Sequence, residues 1–186
     1  GLEDAEKGTV EIHVTSDRMD ACEGRVAWRL TDTEGKEVAK DSRNVRIPAR
    51  KNTRVERVDL REHLDRIGSR NLLLWLSLEI DGEVTATNFV TFARPKHLEL
   101  VDPSITTKVR KSGRDAYEVT LSARRPALWV WLEVEDADIR CSDSFFHLAE
   151  LLDADVALLP PEFPVVGVVG LGQNDGLGGH FGHNFV

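Results

Sequence analysis

Leu72-Leu73-Leu74-Trp75-Leu76-Ser77-Leu78-Glu79-Ile80 is nearly continuously apolar, ends on Asp81-Gly82, and is followed by a second apolar-rich run from Val84 to Phe92. Asp-Gly between two such runs is a strong hairpin signal, because both residue types tolerate the positive φ of a two-residue turn. The runs are therefore read as paired strands. A strand with one wet face alternates apolar and polar side chains, so unbroken apolarity implies cover on both faces. That is the condition of a central strand in a packed β-sandwich.

The upstream residues extend the same grammar. Val10, Ile12 and Val14 alternate with Glu11, His13 and Thr15, and Val26, Trp28 and Leu30 alternate with Arg25, Ala27 and Arg29, both with the period of a half-buried strand. Ser16 to Asp20 has loop chemistry, and Thr31-Asp32-Thr33-Glu34-Gly35-Lys36 reads as a tight hairpin into a strand at Glu37-Val38-Ala39. Val45 and Ile47 suggest a separate short strand that stops at Pro48, whose ring has no N–H to donate, and Val55 and Val58 suggest another. Asp59 to Ile67 is one helical connector, with Leu60, Leu64 and Ile67 on one side and Gly68 at the stop.

Ala93 to Pro103 holds two prolines and few packing residues, and is read as a joint. Beyond it short strands recur: Ile105 to Val109, a turn at 111–115, the alternation Tyr117-Val119-Leu121, a loop from Ser122 to Pro126, then Leu128 to Val134. Strands separated by turn signals every 8 to 12 residues are the mark of sandwich folds. From Phe145 two readings stay open: Phe145, Leu148, Leu151 and Leu152 fit a helix, whereas Val156 to Leu159 fits a final strand. After Pro164 the chain is glycine-dense, costly to order and poor in burial, and is expected to be a flexible tail. The expected architecture is all-β: two immunoglobulin-like β-sandwich domains in tandem, residues 1–94 and 95–160, with a flexible Gly-rich C-terminal tail at 161–186.

Composition narrows the functional classes. Of the 186 residues, 41% are hydrophobic and 30% charged, the balance of a globular chain with real cores. The net charge of −8 and the absence of any Lys/Arg stripe leave counterion release, the main driver of nucleic-acid binding, without a source. No apolar run reaches the ~18 residues needed to cross a bilayer, and the acidic stretch from Gly1 to Lys7 lacks a signal-peptide apolar region. We expect no nucleic acid, no membrane and a cytoplasmic location. With Gly1 first and Met19 the only methionine, the chain reads as a piece of something longer. Cys22 and Cys141 lie in different expected domains, so neither a disulfide nor a zinc site is implied and both are read as inert thiols.

Little in the chain points to chemistry. Glycosidases use two carboxylates about 5 to 10 Å apart, but that spacing is tertiary and none of the 32 acidic residues stands out, so no catalytic residue is expected. Trp129 and Trp131, two apart on one strand, put both rings on one face. Exposed, they would form a carbohydrate-binding platform, and they are the candidate site; buried, they would be core or domain-contact anchors, the commoner fate of tryptophan. Trp28 and Trp75 are assigned to the core. His13, His63, His97 and His147 are scattered, and His180 with His183 offers two donors where zinc uses three or four, so no metal and no cofactor are expected. Neither a phosphate-binding glycine loop nor a Gly-x-Ser-x-Gly elbow is present.

Three stretches, in order and spacing, resemble the C-terminal end of β-mannosidases of glycoside hydrolase family two. They are Gly24-Arg25-Val26-Ala27-Trp28-Arg29-Leu30-Thr31-Asp32; Phe89 to Leu100 with its Pro95-Lys96 pair; and Tyr117 to Ser122 followed by Leu128 to Val134 and Cys141-Ser142-Asp143-Ser144-Phe145-Phe146-His147-Leu148. The last run is similar to the family's Ser-Asp-Asn-Phe-Phe pattern, with Ser144 in place of asparagine. The resemblance implies accessory sandwiches that brace a catalytic barrel, which carries both catalytic glutamates and precedes this region. It implies a parent enzyme, a hydrolase of terminal β-D-mannose residues, with that barrel and a mannose-containing glycan as partners. It also implies a short closing strand after Leu148, where this chain continues from Ala149 to Val186. The rival readings are a free-standing carbohydrate-binding module using Trp129 and Trp131, or an adhesive immunoglobulin-like module.

Overall fold

The computed structural model describes residues 2–4, 8–112, 116–133, 140–149, 154–159 and 167–171. It divides into two units, Gly1–Leu98 and Glu99–Val186, and the division falls inside the proline-bearing joint.

The first unit runs β1 (Leu2–Asp4), β2 (Thr9–Thr15), β3 (Cys22–Asp32), β4 (Glu37–Ile47), β5 (Asn52–Asp59), α1 (Arg61–Ile67), β6 (Leu72–Ile80) and β7 (Glu83–Thr91). One sheet has the order β1-β2-β5 and the other β4-β3-β6-β7. Between them lies a core to which β2 and β5 contribute Val10, Ile12, Val14 and Val58, and the larger sheet contributes Val26, Leu30, Leu72, Leu74, Leu76 and Val90. Leu30, Leu72 and Leu74 are fully buried, each stabilising the unit by about 1.5–3 kcal/mol.

The central hairpin forms as its sequence requires. Asp81 at φ 55° and Gly82 at φ 83° are both left-handed, the geometry of a two-residue turn whose twist matches its strands. At the β3–β4 turn the Asp32 carboxylate accepts N–H bonds from Glu34 (3.0 Å) and Lys36 (2.8 Å). β6 is covered on both faces at its start: Leu72, Leu74 and Leu76 enter the core, while Leu73, pointing the other way, is also fully buried.

Two expectations are corrected. Glu37–Ile47 is one eleven-residue strand rather than two short ones. Its polar middle, Lys40 to Asn44, looks like a loop but stays in register with β3 from Ala39↔Leu30 to Ile47↔Cys22. On an edge strand the neighbour supplies the main-chain bonds, and the side chains stay wet. Trp28 does pack against the core, partly buried, but Trp75 does not. It points to the opposite face, stacked at 5.9 Å on Phe89 with its indole N–H donating to Thr31 Oγ1 at 2.9 Å.

Gly8 ties α1 to β2. Its carbonyl accepts the Leu60 N–H at 2.9 Å, its φ is +59°, and a Cβ there would stand 2.8 Å from Arg61 Cγ.

The second unit holds β8 (Thr106–Lys111), β9 (Tyr117–Ser122), β10 (Ala127–Glu133), β11 (Arg140–Cys141), β12 (Phe146–Leu148), β13 (Ala154–Leu159) and β14 (Gly167–Leu171). Its sheets are β11-β13-β9-β8 and β12-β10-β14. Val119, Leu121, Ala127, Val130, Leu132 and Leu148 form the centre of its core. Of the two readings left open after Phe145, the strand is what forms: β12 pairs with β10, and β13 pairs with β9 from Ala154↔Leu121 to Leu158↔Tyr117. Within the segment expected as a tail, Gly167–Leu171 is a strand antiparallel to β10, where the valines of Gly-Val-Val-Gly-Leu suit a ladder. The rest of 161–186 lies outside the described residues. Both units are all-β, in line with the tandem immunoglobulin-like sandwiches expected.

Two substitutions test this packing. Leu74→Ala should destabilise the first unit by about 2–5 kcal/mol. Gly8→Ala should cost about 1–2 kcal/mol through the left-handed backbone alone. Urea unfolding of the purified chain reads both.

Candidate functional site

Trp129 and Trp131 sit on β10, the middle strand of the sheet β12-β10-β14. Their alternate neighbours Val130 and Leu132 are buried in the core, whereas both tryptophans are half-buried and outside that cluster. They are therefore not the core anchors that tryptophan usually provides. β10 is irregular where they lie: its register shifts between Ala127 and Val130 against β12, and between Leu128 and Trp131 against β14. Trp129 absorbs the extra residue with a left-handed backbone, φ 52°.

Each tryptophan meets one ring from the segment around β12, which sequence reasoning had not placed here. The Trp131 and Phe145 rings are 5.6 Å apart at 35°. The Trp129 and His147 rings are 5.6 Å apart at 85°, edge to face. Val130 is the ladder partner of Phe146, and Phe145 and His147 flank Phe146 as the tryptophans flank Val130. The signal was available: Phe145-x-His147 has the same two-residue period as Trp129-x-Trp131. Reading Phe145 as part of a possible helix, and weighing His147 only for metal spacing that it lacks, hid it.

His147 holds the bulge. Its Nδ1 accepts the backbone N–H of Trp129 at 3.0 Å, which requires a neutral ring with its proton on Nε2. Burial lowers the His147 pKa from its ordinary 6.5, opposed by the Asp143 carboxylate, which favours the charged form. Cys141 nearby in sequence is free and half-buried, its thiol pKa raised by burial against a smaller lowering by a Ser144 hydrogen bond. Such a thiol is a poor nucleophile. Among the described residues no group of His, Cys, Asp and Glu could hold a metal, and no helix is long and apolar enough to cross a membrane. His180 and His183 lie outside the described residues.

Comparison with known proteins follows the same division of the chain. Residues 8–97 match the mannosidase Ig/CBM-like domain, and residues 100–158 match the Ig-fold domain of the mannosidase type. The chain belongs to these two mannosidase immunoglobulin-like domain families, in tandem. Among solved structures, the mannosidase Ig-like pair is similar to a β-D-mannosidase from Dictyoglomus thermophilum, at 18% identity and a TM-score of 0.70, over 84% of this chain and 19% of that one. It is also similar to the exo-chitosanase of Amycolatopsis orientalis, at 12% identity and a TM-score of 0.60, over 94% of this chain and 25% of that one. At these identities the likeness establishes the fold, and this chain spans a quarter or less of either enzyme's length. No curated protein matches in sequence.

His147→Ala should leave the Trp129 N–H without its acceptor and destabilise the second unit by about 1 kcal/mol at neutral pH. The sign with pH follows from the lowered pKa. Above 6.5 the ring is neutral folded and unfolded; below it the unfolded chain takes up a proton that the folded one resists, so stability falls with pH. Urea titrations should show the wild-type advantage over His147→Ala shrinking as pH drops below 6.5 toward the lowered folded value.

Proposed function

We propose that this chain is the non-catalytic C-terminal region of a β-mannosidase, two sandwiches that support a catalytic barrel preceding them in the parent enzyme. One observation carries the reading: the tandem match of a mannosidase Ig/CBM-like domain at 8–97 and an Ig-fold domain at 100–158. The similarity in fold of 84% of this chain to part of a β-D-mannosidase supports it. In this reading the parent removes terminal β-D-mannose residues, and the chain contributes stability and placement rather than chemistry.

The division of labour is physically reasonable. A sandwich presents rigid, hydrogen-bonded faces, and a half-buried neutral histidine with a raised-pKa thiol supplies neither a paired acid and base nor an activated nucleophile. The purified chain should release no nitrophenol from 4-nitrophenyl β-mannoside, while the parent enzyme should. Turnover by the chain alone would overturn the reading. So would a coding sequence before Gly1 without the eight strand-helix units of a barrel.

A further inference from the structure

The rings outside the second core form a surface that the core does not use. Phe145 is 60% exposed, and the ring it packs against, Trp131, is half-buried on the face away from the core. Phe145 is held at φ 60° and Trp129 at φ 52°. Each left-handed non-glycine backbone costs on the order of 1–2 kcal/mol. Neither residue is in the core cluster, so core burial does not offset that cost. Backbone strain that the core does not explain concentrates at ligand sites.

The surroundings indicate what kind of ligand fits. Ser142, Asp143 and Ser144, which lead into Phe145, are all exposed, and two hydroxyls and a carboxylate suit a hydroxyl-rich partner. Neither β10 nor residues 141–149 contain a lysine or arginine, so these two segments bring no cation for a phosphate, sulfate or acidic glycan. Its size is also limiting. Two aromatic side chains offer about 150–250 Å² each at most, well short of the ~800 Å² per side of a stable protein interface.

We propose that Trp131 and Phe145 form a stacking platform for a pyranose ring of a neutral oligosaccharide, with Ser142, Asp143 and Ser144 at its rim. Trp129 and His147 position it by fixing the bulge. The sugar's apolar C–H face lies on the rings, and its hydroxyls reach the rim. This does not depend on the parent being a mannosidase: a chain inert on 4-nitrophenyl β-mannoside is expected with or without the platform.

The test titrates the full 186-residue chain with β-1,4-mannohexaose, and separately with cellohexaose, up to about 10 mM, following tryptophan fluorescence and confirming by calorimetry. Saturable binding is expected, at least roughly tenfold weaker in Phe145→Ala and in Trp131→Ala. The exposed Phe145 provides the variant that keeps its fold, checked by circular dichroism. Binding of both sugars supports a general pyranose platform; binding of one alone supports the platform and shows that it reads hydroxyl configuration at C2. Binding to neither overturns the proposal, as does binding that survives in Phe145→Ala. A monomer–dimer equilibrium shifted by Phe145→Ala, seen by sedimentation without any sugar effect, would make the patch a contact between copies and also overturn it.

Discussion

The first unit depends on the antiparallel pairing of β3 with β6. From Arg25↔Glu79 to Asp32↔Leu72 the two strands run in unbroken register, and this places Val26 and Leu30 in the same core layer as Leu72, Leu74 and Leu76. A slip of one residue would turn every one of those side chains to the wrong face. The Asp81-Gly82 turn sets where β7 joins, and the Asp32 carboxylate sets where β4 does, so both outer strands inherit their positions from the central pair. The β1-β2-β5 sheet covers the other side of that core.

The second unit is built on the same alternation but broken deliberately at one place. β10 sends Ala127, Val130 and Leu132 into the core, and the extra residue between the first two is Trp129. The bulge is not left to itself: a neutral His147 takes the Trp129 N–H, and the tryptophan ring meets the imidazole edge to face. A burial-lowered pKa and a hydrogen bond that only the neutral ring can accept are two expressions of one environment. The consequence for function is a sheet face that carries rings without using them for the core.

Much of this was legible in the residues. Period-two alternation, Asp-Gly and Gly35 after Asp32 are local signals, and each marks the strand or turn that forms. Lys40 to Asn44 misled because an edge strand needs no apolar alternation when its neighbour provides the ladder. Trp75 misled because apolar character does not say which face a side chain takes on a strand covered on both sides. The candidate site was half legible: the spacing of Trp129 and Trp131 was visible, but Phe145 and His147 come from a strand pairing that skips the intervening chain.

The amino-acid sequence alone determined the all-β class and the likeness to mannosidase immunoglobulin-like domains, because these rest on patterns within a few residues or on motif order. Tertiary structure alone decided that the tryptophans of β10 stay outside the core, that Phe145 and His147 join them, and that His147 is a neutral acceptor. Those outcomes depend on which strands become neighbours and where the register shifts, and no local stretch of chain encodes the distance between segments that only folding brings together.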